Sequence, residues 1–485
     1  MRTLMWPALL AGTFVSGMAC AQTATPPAAA QLAGPPEAPT TRHERSPDLP
    51  RPILHVLPPP GDAFTPPPQT GPLARVGEAL ADRGIYLRQI IVDEFAGNSS
   101  GGQGRGSSNS LATAFGGDLD LERLVGIPGA AIHLTMNKSI GTSLAADHTL
   151  NGVSFQTRFK SVHNLRLAAL VWDQDLFDGV VNISGGRVSA LTYFNASNIY
   201  CNFQNNSVCF NPAVLPIQDK ALSFFPYGTW GGRVKIAPSK RFYVQLGAFE
   251  ANPALIPSHG FDFSTKTATG VQEAMEIGFQ SASPKAEHAY HIRIGGYRNT
   301  SDVPDPFLNT HGLPRLSAKG TPLIHKGQSA WYVMGDVVLA RMGADRKRNI
   351  TLFGGSIGTT ASYVTYTNQT LAGFVWTGPF ASRPEDTLGL VASYIRLGSS
   401  QVRFLEASRA AAGGTDPVHH AEGVIELNYG FKLLRGIRLN PNIQYIVDPD
   451  NNLKPSATHQ SKNILAFGLR LSIEVGPVLG FPVWQ

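Results

Sequence analysis

Charged residues, cysteines and long apolar runs are all scarce in this sequence. Asp, Glu, Lys and Arg together make up 15% of the 485 residues, whereas an average soluble domain has about 25%. After residue 21, no uninterrupted apolar run approaches the roughly 18 residues that a transmembrane helix requires. If the mature chain lies in a membrane, it must therefore cross it with strands, which need only about 10 residues each.

Basic clusters are also absent from the sequence. The formal net charge is only +6, and no Lys/Arg block or repeated basic and aromatic array occurs. Such arrays mark proteins that bind nucleic acids. We therefore expect no nucleic-acid partner.

Two short motifs could indicate an enzyme, but each lacks its structural context. Residues 354–358 match the G-x-S-x-G pattern of hydrolases, yet the Thr- and Tyr-rich segment after them favours a strand where that motif needs a helix. His419, His420 and Glu422 lie close together, but no second cluster at metal-ligand spacing accompanies them. The sequence also has no Walker or dinucleotide-binding motif. We therefore predict no enzymatic activity, no metal site and no cofactor.

The first residues have the order of a secretory signal. Arg2 is followed by an apolar stretch, residues 4–15, and then by the small-residue site Ala19-Cys20-Ala21. This order predicts a Sec signal peptide over residues 1–21. Acylation of Cys20 is the alternative, but Gly17 stands where lipoprotein sites prefer Leu.

The mature chain divides into unlike parts. Residues 22–72 are rich in Pro and Ala and predict a flexible periplasmic arm, because they cannot bury an apolar core. Apolar residues at helical spacing predict a short amphipathic helix over about 73–84, ended by Gly84. The barrel described next is expected over 73–475, and residues 476–485 form a C-terminal extension.

From about residue 85 onward, apolar and polar residues alternate with a period of two. In residues 241–249, Phe, Val, Leu and Ala alternate with Arg, Tyr, Gln and Gly, and residues 465–475 repeat the pattern. Alternation is typical of strands with one apolar face and one wet face.

The number of these segments and the connections between them distinguish a barrel from a soluble sandwich. Short turns such as residues 237–240 and 434–436 contrast with long polar stretches such as 252–270 and 303–328. Short periplasmic turns and long extracellular loops are typical of outer-membrane barrels. The predicted fold is therefore all-β, a transmembrane antiparallel β-barrel.

Several segments resemble one family of such barrels. Residues 80–85 (LADRGI), 118–124 (DLDLERL) and 425–429 (IELNY), and above all 439–449 (LNPNIQYIVDP), are similar to the carbohydrate-selective porins of the OprB type. The resemblance covers about residues 73–475. It implies a barrel of sixteen strands in the Gram-negative outer membrane, through which glucose and related sugars diffuse without energy coupling.

The ends of the chain depart from that family. Its opening Trp-Gly-Gly element is weak here, and the chain continues beyond Val475 with Trp484 as the penultimate residue. The position of the last strand therefore remains open at this point.

A pore that recognises sugars needs polar groups for the hydroxyls and aromatic rings for the C–H faces. Arginine suits this task because its donor fork can hold two neighbouring oxygens, and binding must stay weak for the solute to leave. By alternation, the predicted lumen-facing candidates are Arg166, Trp172, Arg233, Lys235, Arg241, Tyr243, Gln245, Arg293, Glu426 and Gln444. Asp118, Asp120 and Glu122 join them if their segment is a strand. For each of them the alternative is a solvated lumen residue that touches no sugar, and a barrel has dozens of these.

Two cysteines remain after the signal peptide. Cys201 and Cys209 lie in a polar, loop-like stretch of an exported chain. An oxidising compartment favours a disulfide between them. A loop of this size would be stabilised by roughly 2–3 kcal/mol.

The expected partners follow from these predictions. They are small carbohydrates, outer-membrane lipid and lipopolysaccharide, and the barrel assembly machinery, with the barrel as a monomer or homotrimer. The alternative functions are a porin for other small solutes, such as anions, uronic acids or phosphate, and a secreted β-rich binding protein or enzyme.

Overall fold

The computed structural model describes residues 70–157, 164–209, 216 and 219–484. The predicted signal peptide, and the predicted arm up to residue 69, lie outside the described residues.

Sixteen strands account for most of the described chain. They are β1 (Ile85–Gly102), β2 (Ser107–Asp120), β3 (Ala130–Gly141), β4 (Arg166–Leu176), β5 (Val181–Val188), β6 (Thr229–Ser239), β7 (Phe242–Ala251), β8 (Gly270–Gln280), β9 (Tyr290–Asn309), β10 (Pro322–Met342), β11 (Arg348–Gly358), β12 (Tyr366–Thr377), β13 (Thr387–Leu397), β14 (Ala421–Leu434), β15 (Ile437–Val447) and β16 (Lys462–Glu474).

The sheet closes on itself. Each strand pairs antiparallel with the next, and β16 pairs with β1 in a register that places Glu94 opposite Arg470. Closure leaves no unpaired edge, as a sheet surrounded by lipid requires. The predicted all-β, sixteen-stranded transmembrane barrel is confirmed. Within the described residues, no helix combines the length and apolar character needed to cross a membrane.

The two faces of the wall differ in chemistry. On the outer face, Leu427, Phe467 and Leu469 are more than 40% exposed. On the inner face, Glu426 and Arg470 are buried. Directly opposed residues of paired strands share a face, so the apolar outer band and the polar lumen extend around the barrel.

The two rims carry connections of different length. Loops L1 to L8 follow the odd-numbered strands; L3, residues 189–228, is the longest of them. The longest connections all lie at the rim that carries these loops, although L1 and L6 are short, whereas the turns at the other rim are short throughout, as between β6 and β7 or between β14 and β15. The chain enters β1 and leaves β16 at this short-turn rim, which we assign to the periplasmic side.

The described chain also contains five α-helices, which lie before β1, after β16 or in the connections between strands. They are α1 (Ala74–Asp82), α2 (Leu121–Val125), α3 (Arg315–Ala318), α4 (Ser399–Ala411) and α5 (Val475–Leu479). The sequence predicted a helix at about 73–84, where α1 lies. Residues after Val475 continue into α5.

Glu122, which the sequence predicted to face inward, lies outside the strands. β2 ends at Asp120, whose side chain accepts hydrogen bonds from the backbone N–H groups of Glu122 and Arg123 and so caps α2. An Asp at this position stops the strand and starts the helix, because it satisfies otherwise unpaired donors. The prediction that Glu122 alternates along a strand is therefore wrong, and Glu122 is exposed in the periplasmic turn.

The predicted alternation also fails in β4. A register shift between Thr135 and Met136 of β3 displaces β4, and Trp172 lies directly opposite Ile132 on the outer face. Trp172 is 42% exposed there, so its prediction as a lumen residue is wrong. The inward positions are instead Ala169 and Val171, which are buried in an apolar cluster with residues of L3.

Candidate functional site

Loop L3 folds into the barrel and contacts distant parts of its wall. The Tyr200 hydroxyl donates to the carbonyl of Gly354 in β11 at 3.2 Å, and the Gln204 side chain donates to the carbonyl of Phe95 in β1 at 3.0 Å. The Asn428 side chain in β14 donates to the carbonyl of Asn202 at 3.0 Å. L3 therefore crosses the lumen and narrows it.

Aromatic rings of L3 fill space left by small wall residues. Tyr200 and Phe203 lie 5.2 Å and 5.6 Å from the ring of Phe353 in β11. A Cβ atom on Gly389 would come within 3.1 Å of the Phe203 ring, and one on Gly355 within 3.2 Å of the Tyr200 hydroxyl. The G-x-S-x-G segment thus belongs to a strand on which L3 packs, and no helix follows it.

Glu426 anchors the tip of L3 on one wall. Its two carboxylate oxygens accept from the backbone N–H groups of Gln204 and Asn205, each at 2.8 Å. Gln444, directly opposite Glu426 in β15, accepts from the Asn205 side chain at 2.9 Å. Both residues were predicted to line the pore; the structure places them inside the barrel with their polar atoms engaged by L3.

Arg470 supports the same part of L3. Its Nη1 donates to the carbonyls of Cys201 and Phe203 at 3.0 Å each, and its Nε lies 3.5 Å from Glu94. Cys201 and Cys209 are both buried. The disulfide between them stays a prediction.

Glu276 of β8 anchors the start of L3 on a different wall. Its carboxylate accepts from the Tyr243 hydroxyl at 2.7 Å, the Tyr332 hydroxyl at 2.8 Å and the Gln245 side chain at 2.9 Å. It also accepts from the backbone N–H of Asn195 at 3.2 Å. Four donors on one carboxylate offset the cost of burying its charge.

Cationic and aromatic side chains are paired beside this anchor. The guanidinium of Arg233 lies 4.6 Å from the ring centre of Tyr193, and the ammonium of Lys235 lies 4.2 Å from that of Tyr243. Arg233 also donates to Gln245 at 2.9 Å and to Asn182 at 2.8 Å. Cation–π attraction favours these positions of the two charged groups over the aromatic rings.

Some guanidinium donors in this region have no protein acceptor. Among the described residues, Arg233 Nε and Arg293 Nη1 are buried and make no hydrogen bond. Arg293 lies on the inner face of β9, opposite Met334, and interacts with Tyr243 and Glu276. A buried polar atom without a partner is costly, so a small rearrangement that let water or a solute hydroxyl reach these donors would be favourable. We call Arg233, Lys235, Arg293, Tyr193 and Tyr243 the cation–aromatic cluster.

Three other predicted residues lie away from this cluster. Arg166 is buried near the extracellular rim, where it donates to the Ile256 carbonyl at 2.7 Å and lies 4.4 Å from the Tyr227 ring centre. Asp118 faces the lumen at the periplasmic end and pairs with Arg88 at 2.9 Å. Arg241 is exposed in the turn between β6 and β7, because the strands end at Ser239 and resume at Phe242; the prediction that it faces the lumen is wrong.

Sequence reasoning missed Glu276 and Tyr193. Glu276 alternates with Met275 and Ile277 in β8, so the same period-two pattern could have identified it as inward-facing. Tyr193 lies in L3, where no strand period applies, and only the folded loop places it beside Arg233.

Asp219 links L3 to loop L6 and should make that contact dependent on pH. Its carboxylate accepts from the backbone N–H of Thr365 at 2.9 Å, and burial raises its pKa to about 7. The folded state therefore binds a proton that the unfolded chain releases near its ordinary pKa. We expect a stability contribution that is complete below about pH 4 and is lost as the pH rises through 7.

The measurement is the unfolding temperature of the purified barrel between pH 4 and 8. Asp219→Asn should flatten this dependence, since an amide stays neutral and still accepts from Thr365. Asp178→Asn, at an exposed turn, is the matched control. An Asp219→Asn profile that still falls as the wild-type profile does would contradict the assignment.

A closed barrel whose longest loop folds into a polar lumen defines the class of porins. The chain belongs to the carbohydrate-selective porin family, the OprB family, whose sequence profile matches residues 104–474. The resemblance noted from the sequence is thereby confirmed. The protein is a Gram-negative outer-membrane porin and not an enzyme.

Individual relatives agree with this assignment. The chain is 26% identical to Porin B of Pseudomonas aeruginosa over 411 residues, covering 81% of this chain and 88% of that protein. It is 24% identical over 402 residues to the putative porin QuiX of Acinetobacter baylyi, covering 77% and 86%. The high-pH structure of Pseudomonas putida OprB superposes with a TM-score of 0.77 at 25% identity, covering 85% of this chain and all of that one.

Proposed function

We propose that the protein lets glucose and other small neutral sugars diffuse passively across the outer membrane. The cation–aromatic cluster carries this proposal, because it joins unpartnered guanidinium donors to aromatic rings beside the narrowing made by L3. Arg233 and Arg293 can donate to sugar hydroxyls, and the rings can pack on C–H faces. Each contact is weak alone, as passage through a channel requires.

A pore for small anions, such as uronic acids or phosphate, is the second candidate. Its support is the surplus of cations in the cluster, which contains three basic residues and no acid, although Glu276 contacts it. Positive charge in a narrow lumen attracts anions and disfavours small cations.

Swelling of proteoliposomes separates the two candidates. Vesicles containing the protein should swell faster in glucose than in a size-matched anion such as glucuronate, at equal osmolarity and at 0.5 M salt. High salt is included because it screens the general attraction of a cationic lumen for anions. Glucose entry no faster than that of the anion would refute the sugar assignment and favour the second candidate.

We further propose the steps that bring the protein to its site. Residues 1–21 direct export and are removed, residues 22–72 act as a periplasmic arm, and the assembly machinery inserts the barrel among lipid and lipopolysaccharide. Cys201 and Cys209 form a disulfide that stiffens L3, since both are buried in the part of the loop that Arg470 holds. The inserted barrel works as a monomer or homotrimer.

A further inference from the structure

The chain does not end at the last strand but folds back beneath the barrel. After β16, residues 475–479 form α5, and Gly480 ends it with a φ of +91°. The N–H groups of Gly480 and Phe481 both donate to the carbonyl of Gly476, at 2.9 Å and 2.8 Å. A Cβ atom at position 480 would lie 2.9–3.1 Å from Ala74, so glycine is needed both for the turn and for the close contact with α1.

Helix α1 holds this tail in place. The N–H of Leu73 donates to the carbonyl of Leu479 at 2.9 Å. A Cβ atom on Gly77 would lie 2.7 Å from the Phe481 ring and 2.9 Å from its Cα. The first helix and the last residues of the described chain therefore pack as one unit at the periplasmic rim.

The described part of the tail reaches inside the barrel. The ring of Trp484 meets the ring of Tyr86 edge to face, with centres 4.9 Å apart, and lies 6.4 Å from the ring of His133. Tyr86 lies directly opposite Asp118, and both His133 and Asp118 are buried on the inner face. Trp484 is itself only 9% exposed, although it follows the last strand by ten positions.

A charged cluster lies beneath the tryptophan. Asp118 accepts from Arg88 at 2.9 Å and lies 2.7 Å from His133 Nδ1, while His133 Nε2 lies 3.7 Å from Asp173. Arg88, Asp118 and Trp484 line the same small cavity. The indole thus covers polar wall that would otherwise face a solute leaving the pore.

We propose that Trp484 forms a second narrowing of the pore, at the periplasmic exit, and limits the size of the sugar that can pass. This inference rests on the proposed sugar function for its substrate, but the narrowing itself applies to any solute. L3 narrows the lumen from the extracellular side, and the tail occupies wall space at the opposite end. A bulky apolar ring at the exit also spares the leaving solute from binding to the charges beneath it.

The experiment compares Trp484→Ala with wild type in planar bilayers and in swelling proteoliposomes. We expect higher single-channel conductance in KCl, and a roughly threefold rise in the rate of maltose entry relative to glucose, because a wider exit favours the larger solute. Trp484→Phe should restore most of the wild-type behaviour. Tyr86→Ala, which removes the ring that supports Trp484, should shift both readouts in the same direction.

Trp172→Ala is the matched control. It removes an indole from the lipid-facing side of the same wall, next to the residue that pairs with His133, and should leave conductance and the sugar ratio unchanged. Heat-modifiable migration in SDS gels shows that each variant is folded. Unchanged conductance and sugar ratio in folded Trp484→Ala and Tyr86→Ala would overturn the inference.

The two proposals can fail separately. If glucose enters no faster than glucuronate while Trp484→Ala raises the conductance, the sugar function fails and the exit narrowing stands. If glucose is preferred and Trp484→Ala changes neither readout, the sugar function stands and the narrowing is refuted.

Discussion

Replacement of Glu426 by glutamine should release the tip of L3 and raise the single-channel conductance. The native carboxylate accepts from two backbone N–H groups, and a glutamine amide would present a donor to one of them. Loss of one charge-assisted hydrogen bond costs about 2 kcal/mol, which shifts the ratio of docked to undocked loop roughly thirtyfold. The measurement is conductance and its noise in planar bilayers.

Glu273→Gln is the control for this prediction. Glu273 carries the same side chain on β8 but is exposed on the outer face, so its replacement should leave the conductance at the wild-type value. If the conductance and the current noise of Glu426→Gln equal those of wild type, the contacts of Arg470 and Glu276 suffice to hold L3 and the prediction is wrong.

Replacement of Arg233 by alanine should have the second large effect. The change removes the partner of Tyr193, Gln245 and Asn182 and deletes an unpartnered donor. We expect glucose entry, relative to a small neutral solute such as glycerol, to fall about tenfold, equivalent to ~1.4 kcal/mol. The reversal potential in a KCl gradient should also shift in the direction that indicates greater cation selectivity.

One variant tests whether charge or shape matters at position 233, and a second serves as its control. Arg233→Lys keeps the charge and loses the planar fork, so it should retain anion preference while glucose entry stays low. Arg298→Ala removes an exposed outer-face arginine from β9 and should change neither quantity. A normal glucose rate in folded Arg233→Ala would exclude Arg233 from the sugar path.

The wall of the barrel was predictable because alternation is a local property. In β7 the sequence correctly divided Tyr243 and Gln245 from Val244 and Leu246, and the buried and exposed faces follow that division. Alternation can be recognised in the sequence whenever one face of a strand contacts water and the other contacts an apolar environment.

Predictions failed where that premise fails. The inner face of β4 packs against apolar residues of L3, so Val171 points inward and Trp172 outward. At Asp120 a side-chain cap ends the strand before Glu122. The period-two pattern predicts which way a side chain points only within a strand, and only where one face of that strand contacts water.

The sequence predicted which way the site residues point more successfully than it predicted what they do. Glu426 and Gln444 face inward as expected, but only the folded structure shows that both hold L3 in place. The long-range contacts of a loop depend on the whole barrel, and no periodicity in the loop encodes them.

L3 is held by carboxylates on two well-separated strands of the wall, Glu276 in β8 and Glu426 in β14. We therefore expect it to act as an internal strut that resists flattening of the cylinder under lateral pressure from the bilayer. Because the same segment both braces the wall and narrows the lumen, shortening L3 to admit larger solutes should also make the barrel easier to deform. Engineering of wider pores on this scaffold should keep both carboxylate anchors and alter the residues between them.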